Sequence, residues 1–148
     1  MYSIEVMDYV LCASEKVYGD EIPIFAAIAV EDEIVSTAYN EVEKRNIPWA
    51  HAEFLAIEKA CSVLDSKYLD SASLYVNLEP CAFCSAALEK VRIKNIFFGA
   101  YDPKCGAITH NIRLFDSSLI KPNILGGIQE ERCYKVIRTF FEKLRERE

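Results

Sequence analysis

Ser73-Leu74-Tyr75-Val76-Asn77-Leu78 runs without a break into Glu79-Pro80-Cys81-Ala82-Phe83-Cys84, and the reading of this junction decides the fold. The first six residues are short and largely apolar, the pattern of a strand covered on both faces. Proline is tolerated where a helix begins, because the amide it lacks is one the helix leaves unpaired there. The chain is therefore expected to turn from strand directly into a helix over about Cys81 to Val91. Two thiols then stand three positions apart in its first turn, a spacing that lets both sulfurs face one point.

Downstream, Lys94 to Gly99 reads as a strand, Tyr101 to His110 as a loop, Ile112 to Leu119 as a short helical piece, and Ile124-Leu125 as a short strand. Ile128 to Arg145 reads as a final amphipathic helix, with Phe140-Phe141 expected to dock it. Upstream, Ile4, Met7, Val10, Leu11, Ser14 and Val17 trace one face of a helix ending near Tyr18-Gly19-Asp20. Ile22 to Val30 is a buried strand, Glu31-Asp32-Glu33 a charged hairpin turn, Ile34 to Tyr39 the returning strand, and Asn40 to Ala50 a polar loop. From His51 to Leu64 apolar residues recur at helical spacing, and the first turn holds His51 and Glu53. Strands alternating with helices predict an α/β fold: a three-layer α/β/α sandwich around a mixed five-stranded sheet, one domain over residues 1–148.

Composition agrees with this reading. At 148 residues, 51% of them hydrophobic, the chain is long enough for one ordinary core and too short for two. The longest apolar run, Ile22 to Val30, is too short to span a bilayer, so no membrane is expected. Met1-Tyr2-Ser3-Ile4-Glu5 lacks the basic-then-apolar order of a secretory signal, which sets the cytoplasm as the expected compartment. In that reducing setting six cysteines are read as free or metal-bound. Cys12, Cys61, Cys105 and Cys133 are isolated and expected to pack as small hydrophobes.

The formal charge of −6 argues on its face against a nucleic-acid partner. Its distribution softens that: residues 1–50 hold three basic and ten acidic side chains, whereas residues 101–148 hold nine and seven. Lys135, Arg138 and Arg145 on the last helix are candidate RNA contacts, against the plainer reading of a solvated face of mixed charge.

One histidine and two cysteines form a ligand set used by catalytic zinc, which leaves a fourth position for water. His51, Cys81 and Cys84 supply that set, and helix N-termini favour thiolate over thiol at both cysteines. Zinc acidifies a water at the open position toward neutrality. Glu53 lies about 200° around an ideal helix from His51, poorly placed to be a second ligand on that face. In an open first turn it can still take the water's proton and return it to the substrate, general base and general acid in one residue.

His51-Ala52-Glu53 with Pro80-Cys81-Ala82-Phe83-Cys84 matches the known signature of zinc nucleoside and nucleobase deaminases. Asn40, Ala50 to Glu53, Leu74 to Cys81, Phe98-Gly99-Ala100 and Asp102-x-Lys104-x-Gly106-Ala107 further resemble bacterial tRNA-specific adenosine deaminases, in order and spacing, over about residues 5 to 145. The resemblance implies a cytidine deaminase-like homodimer with one zinc per subunit, converting adenosine to inosine at the wobble position of a tRNA anticodon stem-loop. It implies zinc ligation by His51, Cys81 and Cys84, proton transfer by Glu53 at N1 of adenine and to departing ammonia, and substrate contacts by Ile24, Asn40, Ala52, Asp102 and Lys104.

Three positions depart from the family pattern: Phe25 follows the Pro-Ile of the first strand, Phe83 stands between the cysteines, and Glu41 replaces a common arginine. They bear on the substrate, and a deaminase of free guanine, cytosine or a nucleoside is the alternative. A redox Cys-x-x-Cys pair leaves His51 and Glu53 unexplained. A structural zinc, or a catalytically silent zinc module, needs a fourth ligand, for which His110 and Cys105 are the candidates. Asn40 and Asp102-Pro103 also have plain readings as turn residues.

Overall fold

The computed structural model describes residues 2–17 and 19–147, so Tyr18, expected near the end of the first helix, lies outside the described residues. Its elements are α1 (Ile4–Ser14), β1 (Phe25–Val30), β2 (Glu33–Tyr39), α2 (Val42–Arg45), α3 (Ala52–Leu64), β3 (Ala72–Leu78), α4 (Ala82–Lys90), β4 (Asn95–Ala100), β5 (Asn123–Leu125) and α5 (Glu130–Glu146). A 3-10 turn over Leu114–Ser117 stands where the sequence predicts a short helical piece.

The sheet order is β2-β1-β3-β4-β5. β1 runs antiparallel to β2 and β3, while β3, β4 and β5 are parallel. Glu31 and Asp32 both take positive φ, the geometry of a tight two-residue hairpin whose twist matches its strands. Successive strand residues face opposite sides, and the core divides accordingly. Ala26, Ile28, Leu74, Val76, Ile96 and Phe98 pack with Leu55, Ala56 and Ala60 of α3 and Leu88 of α4. Phe25, Ala27, Ala29, Tyr75 and Phe97 pack with Val6, Met7, Val10 and Leu11 of α1 and Cys133 of α5. Those are the three expected layers.

β3 is held to β1 beyond its last backbone rung. The paired register ends at Ala26 and Val76. There the buried Asn77 side chain takes over, accepting from the Phe25 amide at 2.9 Å and donating to the Pro23 carbonyl at 2.9 Å. Phe25 lies on the α1 face against Tyr9 and Tyr39, so it packs in the core away from the ligand-bearing helices.

Three expectations need correction. Of the four isolated cysteines Cys133 is buried and Cys61, half-buried, packs against the core as expected, whereas Cys12 is exposed on α1 and Cys105 is exposed in a loop. The docking of α5 rests on that buried Cys133 against Gly99, where an added Cβ would overlap the sulfur, with Arg132–Glu15 and Arg147–Asp20 pairs alongside; Phe141 is exposed. The polar loop after Asn40 contains α2, a four-residue helix that buries nothing of its own. Glu21 holds it from outside, accepting from the amides of Glu43 and Lys44.

Candidate metal centre and active site

Parallel strands deliver their C-terminal ends to one edge of the sheet, the usual place for a site in an α/β fold. Leu78 ends β3 there, and Glu79-Pro80 carries the chain into Cys81, the N-cap of α4. His51 is the N-cap of α3. Neither side chain makes the N-cap hydrogen bond to its helix, and the two face each other. The Cys81 and Cys84 sulfurs lie 3.4 and 3.5 Å from His51 Nδ1, and all three ligand atoms fall within 4.8 Å of one another.

That geometry fits zinc. Bond lengths of about 2.3 Å to sulfur and 2.0 Å to nitrogen in a tetrahedron set ligand atoms about 3.5 Å apart. Among the described residues no further histidine, cysteine or carboxylate joins the group. Cys105 is exposed, and His110 Nδ1 lies 2.9 Å from Glu79 Oε1, which disposes of the two candidates for a closed structural site. A hydrogen bond from Cys84, helped by His51, brings Cys81 down to about 4, while that bond and burial push Cys84 up. Contact with Cys81 raises His51.

Glu53 sits in the first turn of α3, buried, outside the ligand set. Burial pushes its carboxyl up to about 7, with the Cys81 charge adding to the rise. Such a group holds and releases a proton near neutrality.

The other expected site residues lie in two groups. Ile24 is half-buried against the α3 side of the core, and its carbonyl accepts from the Asn40 amide at 3.1 Å. Asn40 is buried, its Nδ2 donating to Glu21 Oε1 at 3.2 Å, and Ala52 is fully buried at the start of α3. Asp102 and Lys104 lie in the loop after β4. The Asp102 carboxylate caps that turn, accepting from the amides of Lys104 and Cys105, so the plain turn reading holds for its side chain. Glu41 pairs with Arg45 at 2.7 Å and Lys44 at 3.6 Å. Phe83 is 45% exposed and packs on Phe54 with centroids 5.3 Å apart.

Sequence reasoning passes over Glu79. Its side chain is wholly buried and gathers the loop: Oε1 accepts from the Asp102 amide and His110 Nδ1, Oε2 from the amides of Ile108 and Thr109 and from Thr109 Oγ1. Burial alone would raise its pKa, but these donors outweigh it and hold the carboxyl below its usual range. The only local signal is an acid placed directly before Pro-Cys.

The family described as cytidine and deoxycytidylate deaminase zinc-binding region matches residues 3–100. A tRNA-specific adenosine deaminase of Rickettsia bellii is 40% identical over 131 residues, covering 86% of this chain and 90% of the relative. The tRNA-specific adenosine deaminase of Bacillus subtilis is 36% identical over 151 aligned positions, covering 99% and 91%. A solved structure from studies of A-to-I editing by tRNA:A34 deaminases at the wobble position of transfer RNA superposes with a TM-score of 0.84, at 31% identity, over 90% of this chain and 99% of that one.

Proposed function

The chain belongs to the cytidine and deoxycytidylate deaminase zinc-binding family and, within it, to the tRNA-specific adenosine deaminases, and from that membership we propose that it deaminates adenosine to inosine at the wobble position of a tRNA anticodon. One observation carries the chemistry: three soft donors converge from two helix N-termini, with a buried carboxylate of raised pKa beside them.

Zinc, when bound by His51, Cys81 and Cys84, supplies a Lewis acid that makes water a nucleophile near neutral pH. Glu53 takes one proton from the water and places it on N1 of adenine as the oxygen joins C6, then takes the proton left on that oxygen and gives it to the amino group, which departs as ammonia while the C6 carbonyl forms. Adenosine and water become inosine and ammonia, with Glu53 restored. The raised pKa of Glu53 suits both halves of this transfer. The adenine must leave its stack to reach such a site. Ala52 follows His51 in α3, Ile24 and Asn40 are joined by a backbone hydrogen bond, and the loop carrying Asp102 and Lys104 meets Cys81 through Gly106; we assign these residues to substrate contact.

The same proposal includes a single deaminase domain working as a homodimer in the cytoplasm, where tRNA is matured. Phe83, exposed in the first turn of α4 and packed on the half-buried Phe54 of α3, supports an interface with a second copy: an aromatic ring left open beside the site is costly in water. Light scattering after size exclusion tests it, and a monomer at micromolar concentration would remove it. No helix among the described residues is long and apolar enough to cross a membrane.

The deciding experiment presents zinc-loaded protein with an anticodon stem-loop carrying adenosine at position 34 and, separately, with free guanine, cytosine, adenosine and cytidine. Inosine in the RNA with an equal release of ammonia is expected. Ammonia from a free base, with no inosine in the RNA, would replace the tRNA reading by the small-substrate one.

A further inference from the structure

We propose that Glu79 is a positioning residue for RNA binding: its buried carboxylate holds the loop from Asp102 to His110 in the shape that presents Lys104 beside the metal centre. The loop is long and irregular, and a segment of this kind loses considerable entropy when it is ordered. Glu79 ties its two ends together, at Asp102 and at Ile108 to His110, while Asp102 Oδ1 and Asn111 Nδ2 hold the turn between them. Five hydrogen bonds of 2.8 to 3.1 Å converge on the two Glu79 oxygens, from three backbone amides, the Thr109 hydroxyl and His110 Nδ1.

Two further contacts seat the loop on the ligand segment itself. The Ala107 amide donates to the Pro80 carbonyl at 2.9 Å, and Gly106 forms an antiparallel bridge with Cys81. Gly106 has no room for a side chain: an added Cβ would overlap Glu79 Cδ and stand 2.6 Å from the Asp102 carbonyl oxygen. Glycine there lets the loop backbone close directly over the carboxylate. One residue thus connects the end of β3, the Cys81 backbone and the turn that carries Lys104.

The chemistry requires a carboxylate. Every neighbour of Glu79 in this cage is a donor, and an ionised carboxylate is acceptor-only, with about four lone-pair sites. Glutamine has nearly the same shape but turns an NH2 toward donors at one of the two oxygen positions, so it forfeits either the Asp102–His110 pair or the Ile108–Thr109 set. His110 meets the cage through Nδ1. Asparagine places an amide nitrogen near the same point, whereas alanine leaves that oxygen one donor short.

The role in RNA binding rests on the proposed deaminase activity; the loop-holding geometry does not, and the test reads the two separately. Wild type, Glu79→Gln, Thr109→Val, His110→Ala and His110→Asn are prepared with zinc content measured. Amide hydrogen exchange at Asp102, Ile108 and Thr109 reports loop order, and kcat and KM are measured on the adenosine-34 stem-loop. Glu79→Gln is expected to keep zinc, lose protection either at the Asp102 amide or at the Ile108 and Thr109 amides, and raise KM by about tenfold to a hundredfold, the range for hydrogen bonds to a charged group, with kcat within about threefold. His110→Ala and Thr109→Val should raise KM less, and His110→Asn should restore it. Unchanged exchange and unchanged KM in Glu79→Gln would overturn the proposal. So would parallel loss of zinc and kcat at constant KM, which would make Glu79 a support of the metal site alone. If Glu79→Gln does not fold, the milder Thr109→Val and the His110 pair decide by the same split. A wild type inactive on RNA refutes the deaminase reading, and the exchange data still decide whether Glu79 holds the loop.

Discussion

Asn77→Ala should destabilise the protein far more than the removal of one small polar side chain suggests. The Asn77 side chain is fully buried and makes two hydrogen bonds of 2.9 Å, one from the Phe25 amide and one to the Pro23 carbonyl, at the point where the β1–β3 ladder has run out. Alanine leaves both backbone groups without partners inside the fold. A buried donor or acceptor stripped of its partner costs about 1–3 kcal/mol, so the pair costs about 2–6 kcal/mol. Against a typical total of about 5–15 kcal/mol this is a large share. With a urea dependence of about 2 kcal/mol/M, the unfolding midpoint should fall by about 1–3 M. The assay is urea unfolding followed by circular dichroism, with zinc saturating in both proteins so that metal affinity does not enter. Asn77→Asp is the control. It keeps the acceptor for Phe25 but turns a second acceptor toward Pro23, and should also be strongly destabilised. Activity should suffer in whatever folds, because the released segment carries Ile24, whose carbonyl receives the Asn40 amide. A midpoint within about 0.3 M of wild type would refute the reasoning, since solvent or a local shift would then satisfy both groups at no cost.

Glu53→Gln should retain one zinc per chain by elemental analysis and lose about a hundredfold or more in kcat, the usual weight of general acid–base catalysis; retained turnover would remove the proton-transfer role. Cys84→Ala or His51→Ala should lose the metal and activity together. Acid stability should carry the mark of Glu79. Its folded pKa lies below the unfolded value, so its stabilisation is complete above the unfolded pKa of about 4.3 and drains away as pH falls through the folded one; Tm of the wild type should drop more steeply in that window than Tm of Glu79→Gln. Thiol titration of the zinc-loaded protein should find Cys12 and Cys105 fast, both being exposed, and Cys133 silent, since burial pushes it up to about 11. Charge reversal at exposed Lys135, Arg138 or Arg145 should weaken stem-loop binding and make it less salt-dependent, by about one counterion for each phosphate no longer neutralised; normal binding would free α5 from any RNA role.

What the sequence made legible was local. His51, Glu53, Cys81 and Cys84 stand at the first turns of two helices, each recognisable from the residues beside it, and the strand, proline and helix order around Cys81 placed two ligands without knowledge of the rest of the chain. What it left hidden depends on partners distant in the chain. Glu79 meets donors 23 to 31 positions away, and nothing in Glu79-Pro80-Cys81 announces them. Asn77 meets Phe25 and Pro23 from 52 and 54 positions away. α2 buries no residue, so it has no apolar periodicity to read; it is held by Glu21, 22 and 23 positions earlier. Cys12 sits outside the core although its helix is legible, because an apolar pattern identifies a helix more readily than it fixes which flank of the stripe the sheet covers.

The net charge of −6 takes on a different meaning once its parts are located. β1 runs antiparallel to β3, with Val30 opposite Ala72, so the acidic turn Glu31-Asp32-Glu33 lies at the start of β3 and the metal ligands beyond its end. Six residue steps of about 3.3 Å put roughly 20 Å between them, about twice the screening length at physiological salt. The carboxylates at the near end are occupied. Asp20 meets Arg147 at 2.9 Å, Glu21 accepts from two α2 amides and Asn40, Glu41 meets Arg45 at 2.7 Å, and Glu79 is buried in its cage of donors. The exposed Asp20–Arg147 and Glu41–Arg45 pairs add little to stability, yet each sets a cation against a negative charge that an incoming phosphate would otherwise feel. An acidic protein can therefore offer a polyanion an approach much closer to neutral than its total charge, and a few placed cations such as Lys104 suffice to orient it. This predicts a shallow salt dependence of binding, with a log–log slope of about −1 to −3; a slope near about −6 or steeper would require a broad basic face that the fold does not present.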